Sequence, residues 1–140
     1  MRRFEVVDRS MEPVLNQGDY LIARRRAPRL GDVVVFEHPG RRGFHLVKRV
    51  VATAGEQVRI ESGRLLVGGL PRDPLGDLHH LEPSGRWDLT ANSCFVLSDA
   101  RTAPPADSRS FGPVPADPMW VVVFRYWPGG RMGTDFRPVA

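Results

Sequence analysis

Apolar residues along this chain gather in short runs separated by turn formers, and almost none recur at helical spacing. The runs Tyr20–Ala23, Val33–Phe36, Phe44–Ala52, Gln57–Ile60, Arg64–Val67, Cys94–Leu97 and Trp120–Tyr126 are rich in β-branched and aromatic residues and read as strands. Glu61-Ser62-Gly63, between two of them, reads as a hairpin turn. In the third run, alternation puts Phe44, Leu46, Lys48 and Val50 on one face and His45, Val47, Arg49 and Val51 on the other. The pattern predicts an all-β, mostly antiparallel fold. Pro71 to Arg86 is polar, carries proline and glycine, and reads as a surface loop insertion. Residues 1–128 then form one domain and residues 129–140 a loose C-terminal tail.

Composition narrows the class. A chain of 140 residues suits one domain with a real core, and 14 glycines and 13 prolines spread along it suit many turns rather than disorder. The net charge is only +4. The clusters Arg24-Arg25-Arg26 and Arg41-Arg42 suit either solvated loops or phosphate and anionic-lipid contact, which leaves peripheral membrane contact open. They lack interleaved aromatics, so no nucleic acid is expected. No apolar stretch is long enough to span a bilayer, and the N-terminus lacks a signal-peptide core. The expected location is the cytoplasm or the periphery of the cytoplasmic membrane.

Among 20 basic residues, Lys48 is the only lysine. Arginine keeps its proton in proteins, whereas burial can neutralise a lysine. On an apolar strand face, Lys48 either snorkels to a partner or acts as a neutral amine base. Ser10 stands where a strand-like start breaks at Asp8-Arg9, with Pro13 limiting any long regular element. It either caps a short helical turn or serves as a nucleophile. The capping-box acid is absent, because Pro13 occupies the third position after Ser10. The sole cysteine, Cys94, lies in a core strand and reads as packing. His38, His45 and the pair His79-His80 have no cysteine or acid partner at metal-ligand spacing, so neither metal nor cofactor is expected.

Taken in order, these segments resemble the bacterial type I signal peptidases and related Ser/Lys proteases. Ser10-Met11-Glu12-Pro13 followed by Gly18-Asp19 resembles the family's nucleophile box. Gly31-Asp32-Val33-Val34-Val35-Phe36 resembles the next box, and Leu46-Val47-Lys48-Arg49-Val50-Val51 with Gly55-Glu56-Gln57-Val58 the lysine box. Gly63 to Gly69 resembles the following hairpin, and Phe95 to Arg101 through Asp107 to Gly112 the final box.

The resemblance implies a signal-peptidase-like fold, shared with the SOS-response repressor proteases, with a short helical turn at the nucleophile and residues 1–128 as the catalytic domain. It implies that Ser10 attacks a scissile carbonyl, that neutral Lys48 takes its proton, and that the Ser10 backbone N–H helps hold the oxyanion. Asp99, Arg101, Asp107, Ser108 and Arg109 would support the site, and Met11 and Pro13 would lie along the substrate. The substrate would be an extended N-terminal signal or leader peptide cut after a small residue.

Asp8 departs from the Ser or Gly that many relatives carry two residues before the nucleophile. Pro105 stands where a lysine-orienting serine is usual, with Thr102 as a substitute, and Ser98-Asp99-Ala100-Arg101 replaces Gly-Asp-Asn-Arg. Two further readings compete with leader removal. One is a catalytically weak or silent peptide-binding module, supported by Asp8 and Pro105. The other is a fragment of a self-cleaving repressor-type protease, which would need a cut site upstream of the nine residues that precede Ser10.

Overall fold

The structure, a computed structural model, describes residues 1–76, 80–101, 106–117 and 119–138. Its strands are β1 (Arg2–Glu5), β2 (Tyr20–Arg25), β3 (Val33–Glu37), β4 (His45–Ala52), β5 (Gln57–Glu61), β6 (Arg64–Val67), β7 (Leu70–Pro71), β8 (Gly85–Asp88), β9 (Ser93–Leu97), β10 (Val114–Pro115) and β11 (Trp120–Trp127). One sheet runs β1-β2-β11-β3-β4-β9-β10 and the other β7-β6-β5-β8. Every described pairing is antiparallel. The only α-helix among the described residues is the single turn α1 (Ser108–Phe111).

The apolar runs of β3 and β9 are continuous because these strands are buried on both faces. In β3, Val34 and Phe36 enter one core cluster while Val33 and Val35 enter another. In β9, Cys94 and Val96 pack with the first of these, and Phe95 and Leu97 with a third that also holds Val58, Ile60 and Leu65. Strand β9 therefore joins the large sheet to the small one. The pleat, which sends alternate side chains to opposite faces, makes one strand serve two cores. Phe44 falls outside β4 and is exposed.

The expected hairpin between β5 and β6 turns on Ser62 (φ 50°) and Gly63 (φ 80°). Positive φ at both positions is the signature of the two-residue turn whose twist matches the strands it joins. A Cβ on Gly63 would also press on the His80 ring, an exposed side chain that would have to turn aside.

Two segments differ from their sequence-based description. The stretch 71–86 is not simply a surface loop. It begins in β7, ends in β8 paired to β5, and buries Leu75 and Leu81, the latter in the cluster of Ile60 and Leu65. Of the expected C-terminal tail, the described residues 129–138 are not loose. Gly129–Arg131 forms a 3₁₀ turn, Gly133 bridges to Arg125, and Phe136 packs against the cluster of Leu15 and Val33. Arg125 and Arg131 both reach the buried Asp19, at 3.1 and 2.7 Å.

Candidate active site

Residues 8–15 fold as one helix-like turn between β1 and β2. Glu12 N–H donates to the Arg9 carbonyl at 3.2 Å and Leu15 N–H to the Met11 carbonyl at 2.9 Å. Met11, Val14 and Leu15 anchor the turn in the core, leaving Ser10 half-buried and Asp8 and Pro13 exposed. Met11 Sδ also accepts the Asp99 N–H at 3.4 Å, so this side chain braces the turn from below. The Ser10 carbonyl accepts from Ala100 N–H at 2.8 Å, tying the turn to the chain just beyond β9.

Lys48 enters from β4, opposite Val34 in β3, with the buried Leu46 and Val50 on either side along its face. The residue is 1 % exposed, yet its Nζ lies 2.7 Å from Ser10 Oγ. Burial pushes the Lys48 pKa below the ordinary lysine value. Asp8, Asp107 and Asp99 oppose that shift and Arg109 adds to it, without reversing the direction. The arrangement is chemically specific: a hydroxyl rests against an amine that gives up its proton more readily than a solvated lysine does.

Behind this pair lies a set of buried ion pairs. Arg49 grips Asp99 through two bonds, Nε–Oδ1 at 2.9 Å and Nη2–Oδ2 at 2.8 Å, and its Nη1 donates to the Gly31 carbonyl at 3.0 Å. Asp107 receives Arg109 Nε at 3.0 Å, Arg109 Nη2 at 2.8 Å, Arg109 N–H at 3.0 Å and Ser98 N–H at 2.9 Å. Ser108 Oγ accepts the Val96 N–H at 2.9 Å. Arg101 donates to the Ser98 carbonyl at 2.7 Å and pairs with Asp73 at 2.7 and 3.1 Å.

Of the expected supporting residues, Asp99, Asp107 and Arg109 act electrostatically on Lys48 and Asp99 N–H meets Met11 of the Ser10 turn, whereas Ser108 bonds to Val96 and Arg101 to Ser98 and Asp73. Sequence reasoning missed Arg49 and Asp73 as their partners. Arg49 was visible as a charged residue inside an apolar run, whereas Asp73 sat in a stretch that looked like an ordinary polar loop. Thr102 and Pro105 lie outside the described residues.

Asp8 changes the picture most. Its Oδ1 accepts the Ser10 hydroxyl at 2.9 Å and the Ser10 backbone N–H at 3.0 Å. The N–H that the resemblance assigns to an oxyanion is thus occupied by a carboxylate.

Cys94 is a different kind of group. It is fully buried, its Sγ lies 3.9 Å from Met119 Sδ, and burial pushes the thiol up to about 12. Because the thiolate is the reactive form, native protein is expected to resist a thiol-directed reagent at neutral pH and to react stoichiometrically once unfolded. Rapid labelling of the folded state would contradict this. Among the described residues, no group of three or more His, Cys, Asp or Glu is placed to hold a metal ion, and no helix is long and apolar enough to cross a membrane. His79 lies outside the described residues.

The family model described as "Signal peptidase, peptidase S26" matches residues 1–127. Signal peptidase I of Leptolyngbya laminosa is 32% identical over 141 residues, covering 89% of this chain and 68% of that protein. Thylakoidal processing peptidase 1, chloroplastic, of Arabidopsis thaliana is 29% identical over 145 residues, covering 88% of this chain. The present chain spans only 41% of that relative's length. Among solved structures, a signal peptidase I from Enterococcus faecalis V583 aligns with a TM-score of 0.58 over 71% of this chain and 98% of the other, at 22% identity, a likeness of fold.

Proposed function

The chain belongs to the signal peptidase family, peptidase S26, and on that premise we propose that it is a serine endopeptidase removing N-terminal signal or leader peptides, with Ser10 as nucleophile and Lys48 as base. The observation that carries this reading is the 2.7 Å contact between Lys48 Nζ and Ser10 Oγ at a desolvated amine. In the reacting state the neutral amine takes the hydroxyl proton while Oγ attacks the scissile carbonyl. The amine then protonates the leaving nitrogen, and water, deprotonated by the same amine, releases the acyl group. The Arg49–Asp99 pair links β4, which carries Lys48, to the segment after β9 that bonds the Ser10 turn, so its role is geometric.

The substrate class is an extended segment preceding the mature N-terminus, cut after a small residue. The test is mass-spectrometric analysis of a panel of leader peptides incubated with wild type and with Ser10→Ala. Cleavage at one bond after a small residue by wild type alone is expected. Equal products from both proteins would overturn the reading.

A second reading, a peptide-binding module without activity, is favoured by one observation, the Asp8 carboxylate on both Ser10 donors. Retention of panel peptides by wild type with none of them cut would select it.

A further inference from the structure

The hydrogen bonds of Asp8 set a problem for any reaction at Ser10. An attacking hydroxyl has to pass its proton to a base, and a forming oxyanion has to find a hydrogen-bond donor. Here one carboxylate oxygen takes both: Asp8 Oδ1 accepts Ser10 Oγ–H at 2.9 Å and Ser10 N–H at 3.0 Å. With the hydroxyl proton aimed at Asp8, the Lys48 amine, 2.7 Å from Oγ, acts as a donor toward the oxygen rather than as the acceptor of its proton. A substrate oxygen directed at the Ser10 N–H would meet a carboxylate of like charge in its place. Asp8 also favours the ammonium form of Lys48, the unproductive one.

The local chain makes this contact an easy one to form and to release. Asp8 is two residues from Ser10, is exposed, and lies on the open side of the turn, while Met11, Val14 and Leu15 fix the other side in the core. A rotation of one side chain would free both donors without disturbing the turn. Nearby Arg9 pairs with Glu12 at 3.4 Å, on the same exposed stretch.

We infer that Asp8 is a positioning residue that holds Ser10 in an unreactive hydrogen-bonded state, and that its carboxylate has to leave the Ser10 N–H before the serine can be acylated. This rests on the reading of Ser10 as the nucleophile, and it adds a residue that restrains the rate. Replacing Asp8 therefore accelerates the enzyme instead of impairing it. Loss of a single oxyanion donor costs roughly 10²–10³-fold in comparable sites, so regaining one in Asp8→Ser is expected to raise the acylation rate at least about ten-fold. Asp8→Asn removes the charge but keeps an acceptor beside the N–H, and a smaller gain is expected.

The experiment reads three things on wild type, Asp8→Ser, Asp8→Asn and Ser10→Ala, each first shown to be folded by circular dichroism. The first is acylation by p-nitrophenyl acetate. In that reaction Ser10 Oγ bonds to the acetyl carbon, the ester C–O bond breaks, nitrophenolate leaves and the serine proton passes to Lys48. Mass spectrometry locates the acetyl group. The second is cleavage of the leader-peptide panel. The third needs no activity. Because the chain has one lysine, ¹³C-lysine labelling gives one ε-carbon signal, whose pH titration follows Lys48 alone. The charged groups acting on that amine are Asp8, Asp107, Arg109 and Asp99. Removing Asp8 is expected to move the midpoint to lower pH.

Faster acylation of Ser10 in Asp8→Ser together with the lower midpoint supports the inference. Equal or slower acylation overturns it, as does an unchanged midpoint, which would mean that the carboxylate does not sit at the dyad. Faster acylation with no peptide cut by any protein would leave the role of Asp8 standing and sink the endopeptidase reading instead.

Discussion

Substitution of Lys48 by arginine is expected to reduce peptide cleavage by about 10²–10⁴-fold, the usual range for loss of a general base. The reason is the proton. Arginine is effectively always charged, so a guanidinium at this position can donate toward Ser10 Oγ but cannot accept from it. Burying that permanent charge beside Leu46 and Val50 also carries a stability cost. Lys48→Met is therefore the companion variant. It keeps nearly the same volume, removes the amine and leaves no charge to desolvate, so it isolates the lost chemistry from any lost stability. Both variants are expected to be inactive in the mass-spectrometric assay, with Lys48→Met retaining the wild-type unfolding midpoint or better. Cleavage by Lys48→Met within a factor of a few of wild type would remove Lys48 from the mechanism.

On the proposed mechanism, the same amine sets the pH profile. Only the neutral form accepts the serine proton, so the rate falls as pH drops below the folded pKa of Lys48 and rises through it. Burial places that pKa below the ordinary lysine value of 10.5. Activity is thus expected to climb with pH on a limb lying below that value, and kcat followed across pH checks it. The direction is fixed by the sign of the shift: depressing the pKa enlarges the neutral fraction at any pH beneath it.

The strands around this site could be read from the sequence because they are buried on both faces. Val33-Val34-Val35-Phe36 and Cys94-Phe95-Val96-Leu97 have no polar face to obscure them. Strand β1 was not legible: Arg2-Arg3-Phe4-Glu5 is mostly exposed and forms one edge of the large sheet, where one flank and most side chains meet water. The two-residue strand β10, at the other edge, contains Pro115, which lacks an N–H and is tolerated at such an edge. Stretch 71–86 misled because its anchors, Leu75 and Leu81, are isolated apolar residues whose partners lie far away in sequence. At the site, Lys48 stood out as a charge in an apolar strand and Ser10 as a break before a proline. Their 2.7 Å approach across 38 residues depends on tertiary packing and left no mark in local pattern. The direction of the Asp8 side chain was equally hidden, since it depends on a rotamer.

Asp107→Ala is expected to destabilise the fold by about 3–5 kcal/mol, the cost typical of removing one partner from a buried ion pair. Asp107 is 0 % exposed, and its two oxygens collect Ser98 N–H and three Arg109 donors. Truncation would leave a buried guanidinium without its carboxylate, although Arg109 Nη1 would keep its bond to the Glu82 carbonyl at 3.2 Å. Asp107→Asn, which retains an acceptor but not the charge, should cost less. Acid provides an independent check. Burial alone pushes the Asp107 pKa up, but the hydrogen bonds from Arg109 and Ser98 outweigh it, and the net value lies below the ordinary 3.8. A carboxyl with a depressed folded pKa contributes stability that is fully present above its unfolded pKa and lost as pH falls through the folded one. The stability gap between wild type and Asp107→Asn, measured by urea unfolding, is therefore expected to be constant near neutral pH and to narrow only below about pH 4. A gap that stayed constant through the acid range would show that the charge of Asp107 does not hold this end of the site together.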